Sequence, residues 1–138
     1  MNIIHAMNET SRGAADLVPV RPRALTDPLR AALGALPVVI VTGARQTGKS
    51  TLVRELLEAE DRLYLTLDEY DVLAQARDSP DQLARRAPRL TLDEVQRSPD
   101  LLLAIKRAVD DDREAGRFLL TGSANLLLMR NVSESLAG

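Results

Sequence analysis

Apolar and polar positions along this chain fall into two rhythms: short runs rich in β-branched residues or leucine, and longer segments with helical spacing. The clearest run, LPVVIVT (Leu36 to Thr42), is continuously apolar and too short for most helices, which predicts a strand covered on both faces. GKSTLVRELLEA follows with apolar residues at Leu52, Leu56 and Leu57, the spacing of one helix face. RLYLTL is a second strand, and EYDVLAQARD a helical stretch stopping before Pro80, with DQLARRA adding one more turn. RLTLD is a third strand. SPDLLLAIKRAVDDDREAG predicts a helix with Ser98 as cap, Pro99 at its first position, a stripe at Leu102, Ile105 and Val109, and Gly116 as terminator. RFLLTG is a fourth strand, and ANLLLMRN begins another helix. Strands alternating with helices predict an α/β layer sandwich with a mainly parallel sheet.

Upstream of the first strand, TDPLRAALGAL predicts a short helix capped by Thr26 or Asp27, with Pro28 in its first turn and Leu29, Leu33 and Leu36 on one face. Residues 1–24 have mixed polarity, Pro19 and Pro22 but no periodicity, so a loose arm is expected there and a single domain over 25–138. Composition narrows the chemistry. The 138 residues, 45% hydrophobic and 28% charged, are those of an ordinary globular domain. With no Cys and one His, His5, neither disulfides, structural zinc nor a Ser/His or Cys/His pair has support. No segment is apolar for the ~18 residues a membrane span needs, and the start lacks a signal-peptide pattern, so a cytoplasmic location is expected. The net charge is −2 and the arginines are scattered among acids, giving no evident nucleic-acid patch. Lys49 and Lys106 are the only lysines, which makes the position of Lys49 more telling.

GARQTGKST, comprising Gly43, Ala44, Arg45, Gln46, Thr47, Gly48, Lys49, Ser50 and Thr51, satisfies GxxxxGK followed by Ser or Thr. The glycines permit a tight turn whose backbone N–H groups point at phosphate oxygens. Lys49 reaches the β and γ phosphates, and the Ser50 hydroxyl can ligate Mg²⁺. A Gly-containing turn before a helix is the plain alternative, but a chance match in a chain of this length is on the order of one in a few hundred. The match also lies between a buried-type strand and a helix, the context the motif requires.

Hydrolysis of a bound nucleotide needs an acid for the metal and usually a base to orient water. TLDE occurs twice, ending at Asp68–Glu69 and at Asp93–Glu94, and both copies offer that pair at a strand tip. Asp68 and Glu69 also suit a helix N-terminus, where carboxylates meet free N–H groups. Many P-loop ATPases insert a strand between the P-loop strand and the metal-acid strand, and only the second copy is followed by a strand to insert. Against that placing, Arg89 and Thr91 are polar where a central strand is usually apolar. Arg97 is open to two readings, a phosphate contact or a surface residue before a helix cap.

From about Leu25 onward, VTGARQTGKSTL, LDEVQRSPDLLLAIK, GRFLLTGSANLLL and SESLAG resemble bacterial and archaeal AAA-type ATPases whose P-loop domain usually precedes a separate C-terminal domain. The resemblance implies a three-layer P-loop NTPase sandwich with the additional-strand order. It implies ATP and Mg²⁺ as ligands, Asp93 as the metal acid with Ser50, Glu94 as the catalytic glutamate, and Ser123 or Asn125 as the sensor of the γ phosphate. In the family an Arg and a fifth strand follow SLAG, pairing with the P-loop strand on the side away from the fourth. Without that strand or a lid, LPVVIVT is expected at a sheet edge unless residues 1–24 fold back as a substitute. Weak hydrolysis and a homo-oligomer or protein partner are expected on the same grounds. The rivals are a nucleotide-dependent binding module without turnover and a small-molecule kinase.

Overall fold

Val38, Val39, Ile40 and Val41 have no polar face to offer solvent, and the strand they form, β2 (Val38–Gly43), is buried along its whole length. In the computed structural model, which describes residues 2–5, 23–43, 49–59 and 61–123 (backbone alone at 2–5, 23–25, 49, 50, 55, 58 and 59), β2 lies inside a five-stranded sheet. The other strands are β1 (Asn2–His5), β3 (Leu63–Thr66), β4 (Leu90–Asp93) and β5 (Phe118–Ser123). Their order is β1-β2-β5-β4-β3, and every neighbouring pair is parallel. The last strand in sequence is therefore inserted between β2 and β4, as the additional-strand order requires.

Alternation along β2 and β5 feeds two cores. Val38, Ile40, Phe118 and Leu120 join Leu90 and Leu92 against α3 (Tyr70–Asp78), α4 (Pro80–Ala84) and α5 (Asp100–Asp111). Val39, Val41 and Leu119 face the other way, against α1 (Arg23–Ala35) and α2 (Lys49–Ala59) through Leu29, Leu33, Leu52, Val53 and Leu56. Helices on both faces give the three layers, and burying both faces is what makes an apolar parallel strand soluble.

Several local features differ from the periodicity. The expected loose arm supplies β1, whose Asn2 to His5 pair in register with Val39 to Thr42. Of the two outcomes for the P-loop strand, an open edge or a substitute strand from residues 1–24, it is the second that occurs: backbone N–H and C=O groups of a buried apolar strand cannot go unpaired. α1 begins at Arg23, so Pro28 falls inside the helix rather than in its first turn and withholds one N–H there. Ser98 does not cap α5; Pro99 holds the capping position, and the Ser98 hydroxyl donates instead to the Ala76 carbonyl at 3.4 Å. Gly116 lies beyond the end of α5 at φ 74°, and a Cβ there would meet the Leu33 carbonyl oxygen at 2.9 Å, so it admits the close pass beneath α1 instead of ending a helix. The helix expected from ANLLLMRN lies outside the described residues.

The polar residue Thr91 is fully buried in β4 yet satisfied. Arg62, also buried, donates to the Thr91 hydroxyl at 3.1 Å, to the Leu90 carbonyl at 2.8 Å and to the Gly116 carbonyl. A polar position in a central strand is tolerated because a guanidinium uses it.

Deleting residues 1–6 should uncover the free edge of β2. Sedimentation velocity should then show more concentration-dependent self-association than the full chain does; unchanged sedimentation would mean that β1 does not protect this edge.

Candidate functional site

All five strands run the same way, so the carboxyl ends of β2, β5, β4 and β3 come out at one edge, where ligands of open parallel α/β sheets bind. Register sets the neighbours. Gly43, the last residue of β2 and the first of the glycine-rich motif, pairs with Ser123 at the end of β5, and Thr66 pairs with Asp93 at the end of β4. Lys49 is the first residue of α2, and Ser50 and Thr51 follow in its first turn, so the motif joins strand to helix. Ala44, Arg45, Gln46, Thr47, Gly48 and Asn125, and the side chains of Lys49 and Ser50, lie outside the described residues.

Asp93 is two residues beyond Thr91 and so shares its sheet face, the face covered by α2. Its carboxylate is buried and gripped from both neighbouring strands. Tyr64 of β3 donates its phenol proton to Oδ2 at 2.8 Å, Thr121 of β5 donates its hydroxyl proton to Oδ1, and the Glu94 N–H donates to Oδ1 at 3.1 Å. Strand alternation stops at Glu94, which adopts a left-handed backbone with φ 59° and ψ 40°. For a non-glycine residue this costs about 1–3 kcal/mol and survives only where the surroundings over-determine it. Here the Arg97 N–H donates to the Glu94 carbonyl at 3.1 Å, closing a short 3₁₀ turn over Val95–Arg97. Gln96 within that turn donates its side-chain N–H to the Glu94 carboxylate.

The first TLDE copy is placed otherwise. Asp68 pairs with Arg97, both on the surface, and receives no helix N–H. Glu69 stands at the N-cap of α3 with no side-chain capping bond, so the helix begins where expected but its carboxylates do not cap it. Thus Arg97 serves as partner to Asp68 of the first acidic pair. Among the described residues no group of three or more His, Cys, Asp and Glu is arranged to hold a metal ion.

A family model described as AAA domain matches residues 36–138. The chain belongs to that family. AAA domains form a nucleotide-binding NTPase family, which accords with a glycine-rich strand-to-helix junction at the carboxyl edge of a parallel sheet. Uncharacterized proteins of Mycobacterium bovis and Mycobacterium tuberculosis are each 40% identical to it over 112 residues. That alignment covers 80% of this chain but 25% of either relative, so the chain spans about a quarter of their length. No helix among the described residues of this AAA domain is long and apolar enough to cross a membrane.

Tyr64, Thr121 and Gln96 were not foreseen as site residues, since no spacing rule joins hydroxyls 28 or 29 residues away to Asp93. A faint signal existed for Tyr64 in the period-2 pattern, which puts it on the same face as Thr66 and hence beside Asp93. Burial, with the hydrogen bond to and charge of Asp93, pushes the Tyr64 phenol from the ordinary 10.0 up to about 12, against the opposing pull of Arg54, whose guanidinium sits 5.8 Å from the ring centre. The protonated phenol is the form that holds Asp93. Its contribution to stability is therefore complete below pH 10 and lost as pH rises through about 12. In a spectrophotometric titration one of the two tyrosines should ionise near pH 12, and Tyr64→Phe should remove that transition. A Tyr64 that titrates at its ordinary value would break this account of the Asp93 clamp.

Proposed function

We propose that this AAA domain is a cytoplasmic ATP-binding module that hydrolyses ATP to ADP and phosphate with Mg²⁺. The observation that carries this reading is the convergence at one sheet edge of Gly43, Ser123 and a buried, doubly clamped Asp93, with the turn at Glu94 immediately beside them. Residues Gly43 to Thr51 would cradle the phosphates through backbone N–H groups and the positive end of α2, with Lys49 offsetting phosphate charge. Ser123 and Asn125 would sense the γ phosphate. Ser50 and Asp93 would hold Mg²⁺, which neutralises charge developing on the phosphates when bound.

The donor chemistry suits that ion. Mg²⁺ is bound through one or two carboxylates and keeps several waters, so a three-acid cluster is not required. Because hydroxyl and N–H donors already occupy both Asp93 oxygens, Asp93 is better placed to hold water on the ion than to bind it directly. Glu94 would take the role of base, polarising the attacking water. In this reading the first TLDE copy supplies the Asp68–Arg97 ion pair beside the site and no catalytic group.

Lys49→Ala should weaken Mg-ATP binding by about tenfold or more, equivalent to ~1.4 kcal/mol. Calorimetry showing unchanged affinity in a folded variant would remove the phosphate-cradle assignment. Glu94→Gln should abolish turnover while ATP remains bound, because an amide keeps the shape but cannot accept the proton. Glu69→Gln should change turnover little. Loss of activity with Glu69 and its retention with Glu94 would reverse the choice between the two acidic pairs. ATP binding without turnover, with or without added phosphate acceptors, would instead establish the binding-module alternative.

A further inference from the structure

The Gln96 side chain joins two parts of the site that the backbone does not. Its Nε2 donates to the Glu94 carboxylate, and its Oε1 accepts the Ser123 backbone N–H at 3.3 Å. A carboxylate only accepts and a backbone N–H only donates, so the bridging group must offer one donor and one acceptor at separate atoms. A primary amide does this in one orientation. The 3₁₀ turn over Val95–Arg97 closes the Arg97 N–H onto the Glu94 carbonyl and leaves the Gln96 side chain within reach of the Glu94 carboxylate, and Ser123 pairs in the sheet with Gly43, the first residue of the glycine-rich motif. A continuous path thus runs from the Glu94 carboxylate through Gln96 to the tip of β5, and across one register pair to the start of the phosphate cradle.

We propose that Gln96 is a positioning residue, a strut that ties the Glu94 carboxylate to the tip of β5 and so sets the base relative to the residues facing the γ phosphate. Its catalytic consequence rests on the hydrolytic reading above, whereas the tie is a property of the folded chain without nucleotide. Glu94 depends on such a tie because its left-handed backbone does not extend the strand, leaving side-chain contacts to aim it. Gln96 touches no reacting atom. It acts through Glu94.

Two arms test the strut on the full 138-residue chain. In the first, the Ser123 amide resonance of ¹⁵N-labelled protein is followed without nucleotide. Glu94→Ala should shift it in the native background and leave it in place in the Gln96→Met background. The same Glu94→Ala response in both backgrounds, or none in the native one, would overturn the tie. If Gln96→Met fails to fold, Gln96→Glu replaces it, keeping the acceptor for Ser123 while lacking the donor for Glu94. In the second arm, Gln96→Met and Gln96→Glu should each lower kcat by about tenfold or more while KM for ATP stays within about twofold, the signature of lost positioning rather than lost binding. An unchanged or raised kcat in folded variants would refute the positioning role. Should the unaltered chain bind ATP but show no turnover, the hydrolytic reading fails by itself, and the resonance arm still decides whether Gln96 ties Glu94 to β5.

Discussion

Insertion of β5 between β2 and β4 is the constraint on which the other parts of this molecule depend. A strand in that position is buried on both faces, so its residues must serve two cores at once: Phe118 and Leu120 pack toward α3, α4 and α5, and Leu119 toward α1 and α2. It also fixes what meets at the sheet edge. With β5 in the middle, Ser123 sits beside Gly43, and Thr121 reaches Asp93 on the other side. Remove β5 and the glycine-rich junction and the acidic strand tip would have no common neighbour.

Burial of this kind raises the stakes for every polar group inside. Arg62 and Thr91 lie within the sheet layer, and Arg117 is buried near the start of β5, yet each has partners: Arg62 with Thr91 and two carbonyls, Arg117 with the Ala108 and Asp112 carbonyls. Among the described residues no buried side-chain nitrogen or oxygen lacks a hydrogen bond. An unpaired polar group at such depth costs about 1–3 kcal/mol, comparable with a sizeable part of a small domain's net stability. The arginine anchors therefore act structurally, tying together the amino ends of the strands rather than the edge where Asp93 and Glu94 lie.

At the carboxyl edge polar groups converge on a buried carboxylate instead. Asp93 is held by hydroxyls from two different strands, an arrangement that needs β3, β4 and β5 all in register. Glu94, one residue later, escapes the strand by a left-handed turn and takes its orientation from Gln96. The two acidic pairs, identical as tetrapeptides, end in different environments because their strands do. β3 is the outer strand, partly exposed, whose acid pairs with surface Arg97, while β4 is flanked on both sides.

Local patterning determined much of this protein. Apolar β-branched runs, helical stripes and the glycine-rich junction are encoded within a few residues of each other, and so β2, α2, β4, α5 and β5 lie close to where periodicity places them. The tertiary structure alone decided the rest, because those features depend on partners distant in sequence. Asn2 to His5 carry no strand signal strong enough to stand alone and become β1 by borrowing the hydrogen bonds of β2. Thr91 looks misplaced until Arg62 arrives from 29 positions away, and Ser98 turns from an expected cap into a partner of Ala76 once α3 packs beside it. The clamp on Asp93 and the path from Glu94 to Ser123 belong to the same class. Each joins backbone segments whose proximity is a property of the folded sheet, and a one-dimensional pattern records which face a side chain occupies but not which strand will lie beside it.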